Sequence, residues 1–293
     1  MAQPFWLILV VWGDRYHDGY INEIAGMTLS LSPNCRQVVL VTDRDRPGVD
    51  TRVAQVSFPE GFRSPEMFQG GYPGKLAMLT CPGAPGDMRC VYLDLDTVVA
   101  GDVGRIAADL RGPGEVLMLK AGTMGFNALS RLRHRLSGGK GFSTGNSSVL
   151  AFTAANGRAL ADRFLALRSD PAERNRKHMT VDDNFISWAA AQHLREVDAG
   201  LAVMFRREFL SRLPGYARLK ARLPWVRRRR EGLVAITLNG MEFKPAALLA
   251  LSEGHLLRDR KGRKGRWSRA DMGSARDRIA EYCARILETS PRP

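Results

Sequence analysis

The stretch CVYLDLDTVVAGDV, Cys90 to Val103, runs apolar through Val91, Tyr92 and Leu93 and then sets two carboxylates one residue apart, Asp94 and Asp96. An unbroken apolar run bounded by polar loops predicts a strand covered on both faces, the habit of parallel sheets. Two acids so close repel each other unless a cation or a donor sits with them. In an open α/β sheet the carboxyl end of such a strand faces the ligand crevice. Hard carboxylate oxygens there suit Mg²⁺ or Mn²⁺, which in turn grips a diphosphate. The other reading is that the pair merely caps the turn after a strand. Spacing does not separate the two, because Asp43 and Asp45 repeat it and a chain of this composition yields about one such pair by chance. Position at the end of a buried strand favours the first.

The neighbouring segments extend the same pattern. Phe5 to Trp12 (FWLILVVW), Gln37 to Asp43 (QVVLVTD) and Thr51 to Phe58 read as strands, with a helix between the first two that places Ile21, Ile24, Ala25 and Thr28 at helical spacing. Strand, helix, strand at this interval is a βαβ unit. After a Gly- and Pro-rich loop, KLAMLT predicts a short helix opening at Lys75. Beyond the Cys90 segment, DVGRIAADL predicts a helix, EVLML and Asn146 to Thr153 predict strands, and GRALADRFLAL and VDDNFISWAAAQHL predict helices. The last of these opens on Asp182 and Asp183, two acids that suit a helix's positive N-terminal end. Val234 to Asn239 is the final predicted strand, and ARDRIAEYCARILE closes the chain as an amphipathic helix with Ile279, Tyr282, Cys283 and Ile286 on one face.

Charge divides the chain unevenly. Of the 293 residues, those from Phe205 to Pro293 carry 22 basic and 9 acidic side chains, a net of +13, whereas residues 1 to 204 carry only +1. The first part therefore reads as an ordinary globular body and the last as a basic elaboration of it. Four cysteines without CxxC spacing point to neither a zinc site nor a disulfide framework, and they fit a reducing compartment. The apolar start lacks a basic leader and a cleavage site, and it is far short of the roughly 20 residues that span a bilayer. A buried first strand is the better reading. His17, His134, His178, His193 and His255 show no metal-ligand spacing, and most of them are expected at the surface or in loops. SGGKG, Ser137 to Gly141, lacks the phosphate-loop pattern and reads as a mobile loop.

Several segments in collinear order carry a family resemblance. VYLDLDTVVAGDV resembles the D-x-D segment of GT-A fold glycosyltransferases, and the tract from Gly71 through Val103 looks like the retaining, glycogenin-like group, family 8 and its bacterial relatives. WGDRYHDGYINEIAGM and VVLVTD are similar to that group's nucleotide-binding start, FSTGNSSVLAF to its NSG/NSSVM strand, and TVDDNFIS to its GDQ segment. The resemblance covers roughly residues 5 to 190, and order across motifs is more specific than any one of them. It implies an α/β fold of GT-A, Rossmann-like type, with a mostly parallel central sheet flanked by helices and a basic, largely helical C-terminal region. With the charge shift at Phe205, the expected organisation is a nucleotide-sugar-binding catalytic core over residues 1–204, completed and extended by residues 205–293.

Residue by residue, the resemblance makes Asp94 and Asp96 metal ligands, with Asp94 also touching the ribose. Trp12, Gly13, Asp14 and Asp43 would hold the uracil and ribose side. Lys75 would approach the diphosphate or the donor sugar, Asn146 and Ser147 would line that sugar, and Asp182 would contact its hydroxyls. Asp183 stands where the family has Gln. One segment departs from the pattern: where the family places a His ligand in an H-G-x-x-K-P motif, this chain has Asn239, with one extra residue before Lys244 and Pro245. An amide oxygen is a weaker ligand for Mn²⁺ than imidazole, while Lys244 can still neutralise a diphosphate.

The expectation is a glycosyltransferase that moves a hexose from a UDP-sugar to a hydroxyl on a glycan or glycolipid, such as a cell-surface polysaccharide, with Mn²⁺ or Mg²⁺. Metal at the bond between sugar and diphosphate would neutralise the charge that develops on the leaving phosphate. Retention of configuration rests on the resemblance alone. Arginines with Trp225, Trp267, Leu219 and Leu223 suit a surface that touches anionic lipid, so the protein is expected in the cytoplasm with peripheral contact at the inner face of the membrane. Arg-rich segments also bind nucleic acid, a partner the donor-site motifs disfavour. The rival from another class is a non-catalytic basic binding protein on the same scaffold.

Overall fold

The computed structural model describes residues 3–69, 73–121 and 125–289. Gly70, Gly71 and Tyr72 of the Gly- and Pro-rich loop lie outside the described residues. The chain forms two compact units whose segments alternate: Met1–Tyr16, Asn34–Leu95 and Gly104–Val197 make the first, and His17–Pro33, Asp96–Val103 and Asp198–Pro293 the second. The basic stretch from Phe205 onward belongs wholly to the second unit, whose last segment opens at Asp198.

In chain order the strands are β1 (Phe5–Val11), β2 (Cys35–Thr42), β3 (Val53–Ser57), β4 (Arg89–Leu93), β5 (Thr97–Val99) and β6 (Val116–Lys120). They continue with β7 (Gly145–Thr153), β8 (Leu194–Glu196), β9 (Ala202–Met204), β10 (Ala235–Thr237), β11 (His255–Arg258) and β12 (Lys264–Trp267). The first unit holds a seven-stranded sheet in the order β3-β2-β1-β4-β7-β6-β8. Its neighbours are parallel except around β7, which runs against both β4 and β6. In β1 only Trp6 is less than fully buried, and Cys90 to Leu93 are buried without a break. A sheet with no polar face needs cover on both sides, which is why these runs carry no alternation.

The predicted helix at Lys75 is a 3₁₀ segment, Pro73–Thr80, with Leu76, Ala77, Met78 and Leu79 all buried. The helix Ala154–Ser169 packs on it through Gly157, where an added Cβ would lie 2.6 Å from the Leu79 carbonyl oxygen. Only glycine permits that approach. The predicted helix from Val181 to Leu194 stops at Ala189, because Leu194 instead pairs with Val116 as edge strand β8. A further helix, Ala128–Leu136, is capped reciprocally by Asn127 and Ser130. Ser137 to Gly141 ends it, with Gly138 and Gly139 at φ of +58° and +84°. His178 departs from the surface or loop placement expected of most histidines: it is buried and stacks on Trp188 at 3.8 Å between ring centroids.

The second unit contains a three-stranded sheet, β5-β10-β9, and the hairpin β11–β12, which follows what the sequence marks as the last strand. Along β12 exposure alternates, Lys264 and Arg266 out, Gly265 and Trp267 in. Trp267 is thereby only 1% exposed, against the expectation of a surface tryptophan, and the Arg276 guanidinium covers its ring at 5.5 Å. The closing helix, Ser274–Glu288, buries Ile279, Tyr282, Cys283 and Ile286 as the spacing predicts. Cys35, Cys81, Cys90 and Cys283 are all free thiols. Among the described residues no helix is long and apolar enough to cross a membrane.

Candidate functional site

In the first unit the carboxyl ends of β1, β2 and β4 and the amino end of the reversed β7 meet along one edge of the sheet. The Asp94 amide continues the β4 ladder by donating to the Ser148 carbonyl at 2.9 Å. Polar side chains that would interrupt a buried strand are thus placed one step beyond its end.

After β1 the chain turns at Gly13, whose φ of +60° favours glycine, and the Gly13 amide donates to the Asp43 carboxylate at 3.0 Å. Arg46 joins the same turn: its buried guanidinium donates to the Gly13 carbonyl at 2.8 Å and lies 3.3 Å from the Asp43 carboxylate. Trp12 is half-buried against Phe58 and Phe68, with ring centroids at 6.3 and 5.6 Å. The exposed Asp14 carboxylate pairs with Arg44. Trp12, Gly13, Asp14 and Asp43 therefore share one pair of loops, and Arg46 ties them together. Sequence reasoning passed over Arg46; the signal was an arginine directly after a D-x-D pair that had served only as a control.

A second cluster surrounds Lys75. Its ammonium lies 2.9 Å from Asp94 Oδ1 and 3.1 Å from Asp182 Oδ2, and donates to Ser147 Oγ at 2.8 Å. The Tyr92 hydroxyl donates to Asp94 Oδ1 at 2.6 Å, and Ser147 Oγ donates to Asp182. The Ser147 amide donates to Asp183 Oδ1 at 2.6 Å, and Asn146 Nδ2 reaches Asp183 Oδ2 at 3.4 Å. Lys75, Asp94, Asn146, Ser147, Asp182 and Asp183 are thus gathered in one hydrogen-bonded cluster. Tyr92 and Ser148 complete the set, since both hydrogen-bond to the Asp94 carboxylate.

The electrostatics of this cluster follow from burial and charge count. Burial would push the Lys75 ammonium down, but the facing Asp182 and Asp94 carboxylates outweigh it and hold it well above its ordinary range. Burial likewise works to raise Asp94, and Lys75 with the Tyr92 hydroxyl overturns it, leaving that carboxyl low. Asp183 goes the other way: burial and the neighbouring Asp182 both push it up. Three carboxyl groups face one ammonium, so the cluster has an appetite for further positive charge.

In the second unit Lys244 Nζ pairs with Asp96 Oδ2 at 2.8 Å. Thr237 lies opposite Thr97 in the β10–β5 ladder, and the Leu238 amide donates to the Asp96 carbonyl at 2.8 Å. Asn239 is the next residue on, followed by Gly240 at φ of +111°. Among the described residues no three His, Cys, Asp or Glu side chains gather as a preformed metal cage. Taken singly, the side chains are nevertheless of a kind that suits a hard divalent cation: a carboxylate at Asp94 in the first unit, and a carboxylate at Asp96 and an amide oxygen at Asn239 in the second. The surplus carboxyl charge beside Asp94 fits it as well.

No family model matches the chain, and no curated protein does. Solved structures do. A galactosyltransferase, LgtC, in complex with donor and acceptor sugar analogues aligns over 99% of this chain and 98% of its own at a TM-score of 0.55 and 14% identity. The apo form of the bifunctional glycosyltransferase WbbM aligns over 98% of this chain and 52% of its own, at a TM-score of 0.55 and 12% identity. GlyE, a glycosyltransferase of Streptococcus pneumoniae TIGR4, aligns over 98% and 63% at a TM-score of 0.50 and 14% identity.

Proposed function

The chain carries the GT-A fold of glycosyltransferases, and on it we propose that it moves a hexose from a UDP-sugar to a hydroxyl of a glycan or glycolipid. The observation that carries this reading is the Lys75 cluster at the carboxyl edge of the sheet, where Asp94, Ser147 and Asp182 all lie within hydrogen-bond reach of one ammonium. An α/β sheet offers its ligand crevice at that edge.

In this reading the loops of Trp12, Gly13, Asp14 and Asp43 take the nucleoside, with Arg46 fixing their geometry. Asp94, Asp96 and Asn239 would hold Mn²⁺ or Mg²⁺, which supplies Lewis-acid neutralisation of the leaving diphosphate. Lys244 adds a point charge toward that diphosphate. Lys75 and Ser147 orient the Asp182 carboxylate toward the donor sugar, where it stabilises positive charge at the reacting carbon. Asn146 and Asp183 brace the strand end on which Ser147 sits. Retention of configuration is part of the proposal and is supported by the likeness of the motifs. A front-face path, in which the leaving phosphate accepts the acceptor's proton, requires no covalent nucleophile from the chain.

The test is a panel of UDP-sugars scored for slow hydrolysis and for the rise in Tm that a native-state ligand must cause, each with Mn²⁺ and with chelator. One donor should be hydrolysed and should raise Tm, more so with Mn²⁺. Asp182→Asn should cut turnover by about 10²-fold while keeping the UDP-induced shift. No shift with any nucleotide would overturn the reading in favour of a binding protein. Unchanged turnover and metal response in Asp96→Asn would overturn the metal assignment.

A further inference from the structure

The segment from Phe209 to Arg230 contains no acidic residue, yet eight of its residues are basic. Three of these are absorbed by one buried acid: Glu208 lies 3.0 Å from Lys220, 2.5 Å from Arg229 and 2.6 Å from Arg230. The other five, Arg212, Arg218, Arg222, Arg227 and Arg228, are exposed. Among them stand four large apolar side chains that face solvent, Leu213 at 66%, Tyr216 at 49%, Leu219 at 60% and Trp225 at 67% exposure. The segment folds as two short helices, Tyr216–Arg222 and Pro224–Glu231, anchored inward by Ala221, Val226 and Arg230. Its outward side is therefore apolar and cationic together, and it is held in place rather than hanging loose.

Phosphates alone would satisfy the arginines, but they offer nothing to two exposed leucines. An anionic bilayer satisfies both, with headgroup charge for the guanidinium groups and the boundary of headgroups and acyl chains for Leu, Tyr and Trp. We propose that residues 212–228 form a membrane-docking surface that rests on an anionic lipid leaflet. Trp267 and Leu223 drop out of the surface that the sequence suggests, the first because it is buried in β12 and the second because it is half-buried. Leu213 and Tyr216 take their place. The proposal needs neither the transfer reaction nor its metal.

The full chain would be floated with phosphatidylcholine vesicles and with vesicles containing roughly one-third phosphatidylglycerol. The anionic vesicles should carry it and the neutral ones should not. The double variant Leu219→Ser, Trp225→Ser should lower partitioning about tenfold with Tm unchanged, since both side chains lie outside the core. Brominated lipid should quench tryptophan emission in the parent and lose that effect in Trp225→Phe, which keeps the fold and the apolar bulk. Equal flotation of parent and double variant would overturn the proposal. So would displacement from vesicles by random duplex DNA, with DNA binding unaffected in the double variant; that result would make the surface a nucleic-acid site.

Discussion

Lys75 shows what one side chain can organise. Its ammonium is the positive centre on which Asp94, Asp182 and Ser147 converge, and removing it leaves the half-buried Asp94 and the buried Asp182 carboxylates without a counter-charge. Lys75→Met keeps the bulk and removes the charge, so it should cost about 3 kcal/mol at neutral pH, the lower end for breaking a buried ion pair. The cost depends on pH with a definite sign. In the parent the Asp94 carboxyl lies below its unfolded value, so its contribution is present above that value and lost as pH falls. Without Lys75, burial dominates and pushes Asp94 up, and ionisation then opposes folding. Urea titrations at about pH 7.5 and 4.5 should show the gap between variant and parent narrowing at the lower pH. A gap that stays constant would mean that the ion pair is not what the substitution removes.

At the scale of elements, what could be read from the sequence was what needed no partner. Phe5–Val11 and Arg89–Leu93 declare themselves because a strand buried on both faces is apolar throughout. Among the three-residue strands β10 declares itself because the buried Val234 and Leu238 lengthen its apolar run, whereas β5, β8 and β9 do not, because they become strands only through a neighbour brought from elsewhere in the chain. Trp267 misleads for a related reason: basic residues flank it, but strand alternation turns it inward. The Asp94 cluster was legible through motif order, whereas Arg46 was not, since its role comes from a turn made by residues more than thirty positions away. The junction at Gly157 tests an element contact directly. Gly157→Ala would force a Cβ against the Leu79 carbonyl and the Phe152 ring. It should destabilise the chain by about 1–3 kcal/mol, the range for overpacking, which thermal unfolding would register as a lower Tm.

Over the whole molecule the charge asymmetry was plain from composition, while the alternation of the two units was not, because it depends on which distant segments pack together. Charge also sets the response to acid. At Glu208 burial acts to raise the carboxyl, but Arg229, Lys220 and Arg230 hold it below its ordinary value. Glu115 and Asp259 show the same balance, burial outweighed at Glu115 chiefly by the Arg195 guanidinium and at Asp259 by the Arg263 amide together with its guanidinium. Carboxyls depressed in the folded state contribute stability above their unfolded values and lose it as pH falls through the folded ones. Tm should therefore drop steeply below about pH 4.5, helped by the growing positive charge. Glu208→Gln should cost about 3 kcal/mol at pH 7, because three cations lose their partner, and it should flatten the acid limb of the Tm curve. An acid limb identical to the parent's would assign that sensitivity elsewhere.

The reversed strand β7 has a consequence for how the molecule is made. Tyr92 at the centre of the sheet pairs on one side with Ile8 and on the other with Leu150, and the acids that face Lys75, Asp182 and Asp183, arrive later still at the start of the helix Asp182–Ala189. A chain emerging from the ribosome can lay down β1 to β4 early, but one long side of β4 then stays open until some fifty more residues have appeared. Open strand edges invite pairing with other chains, so translation pauses within that interval would leave the protein at its most adhesive.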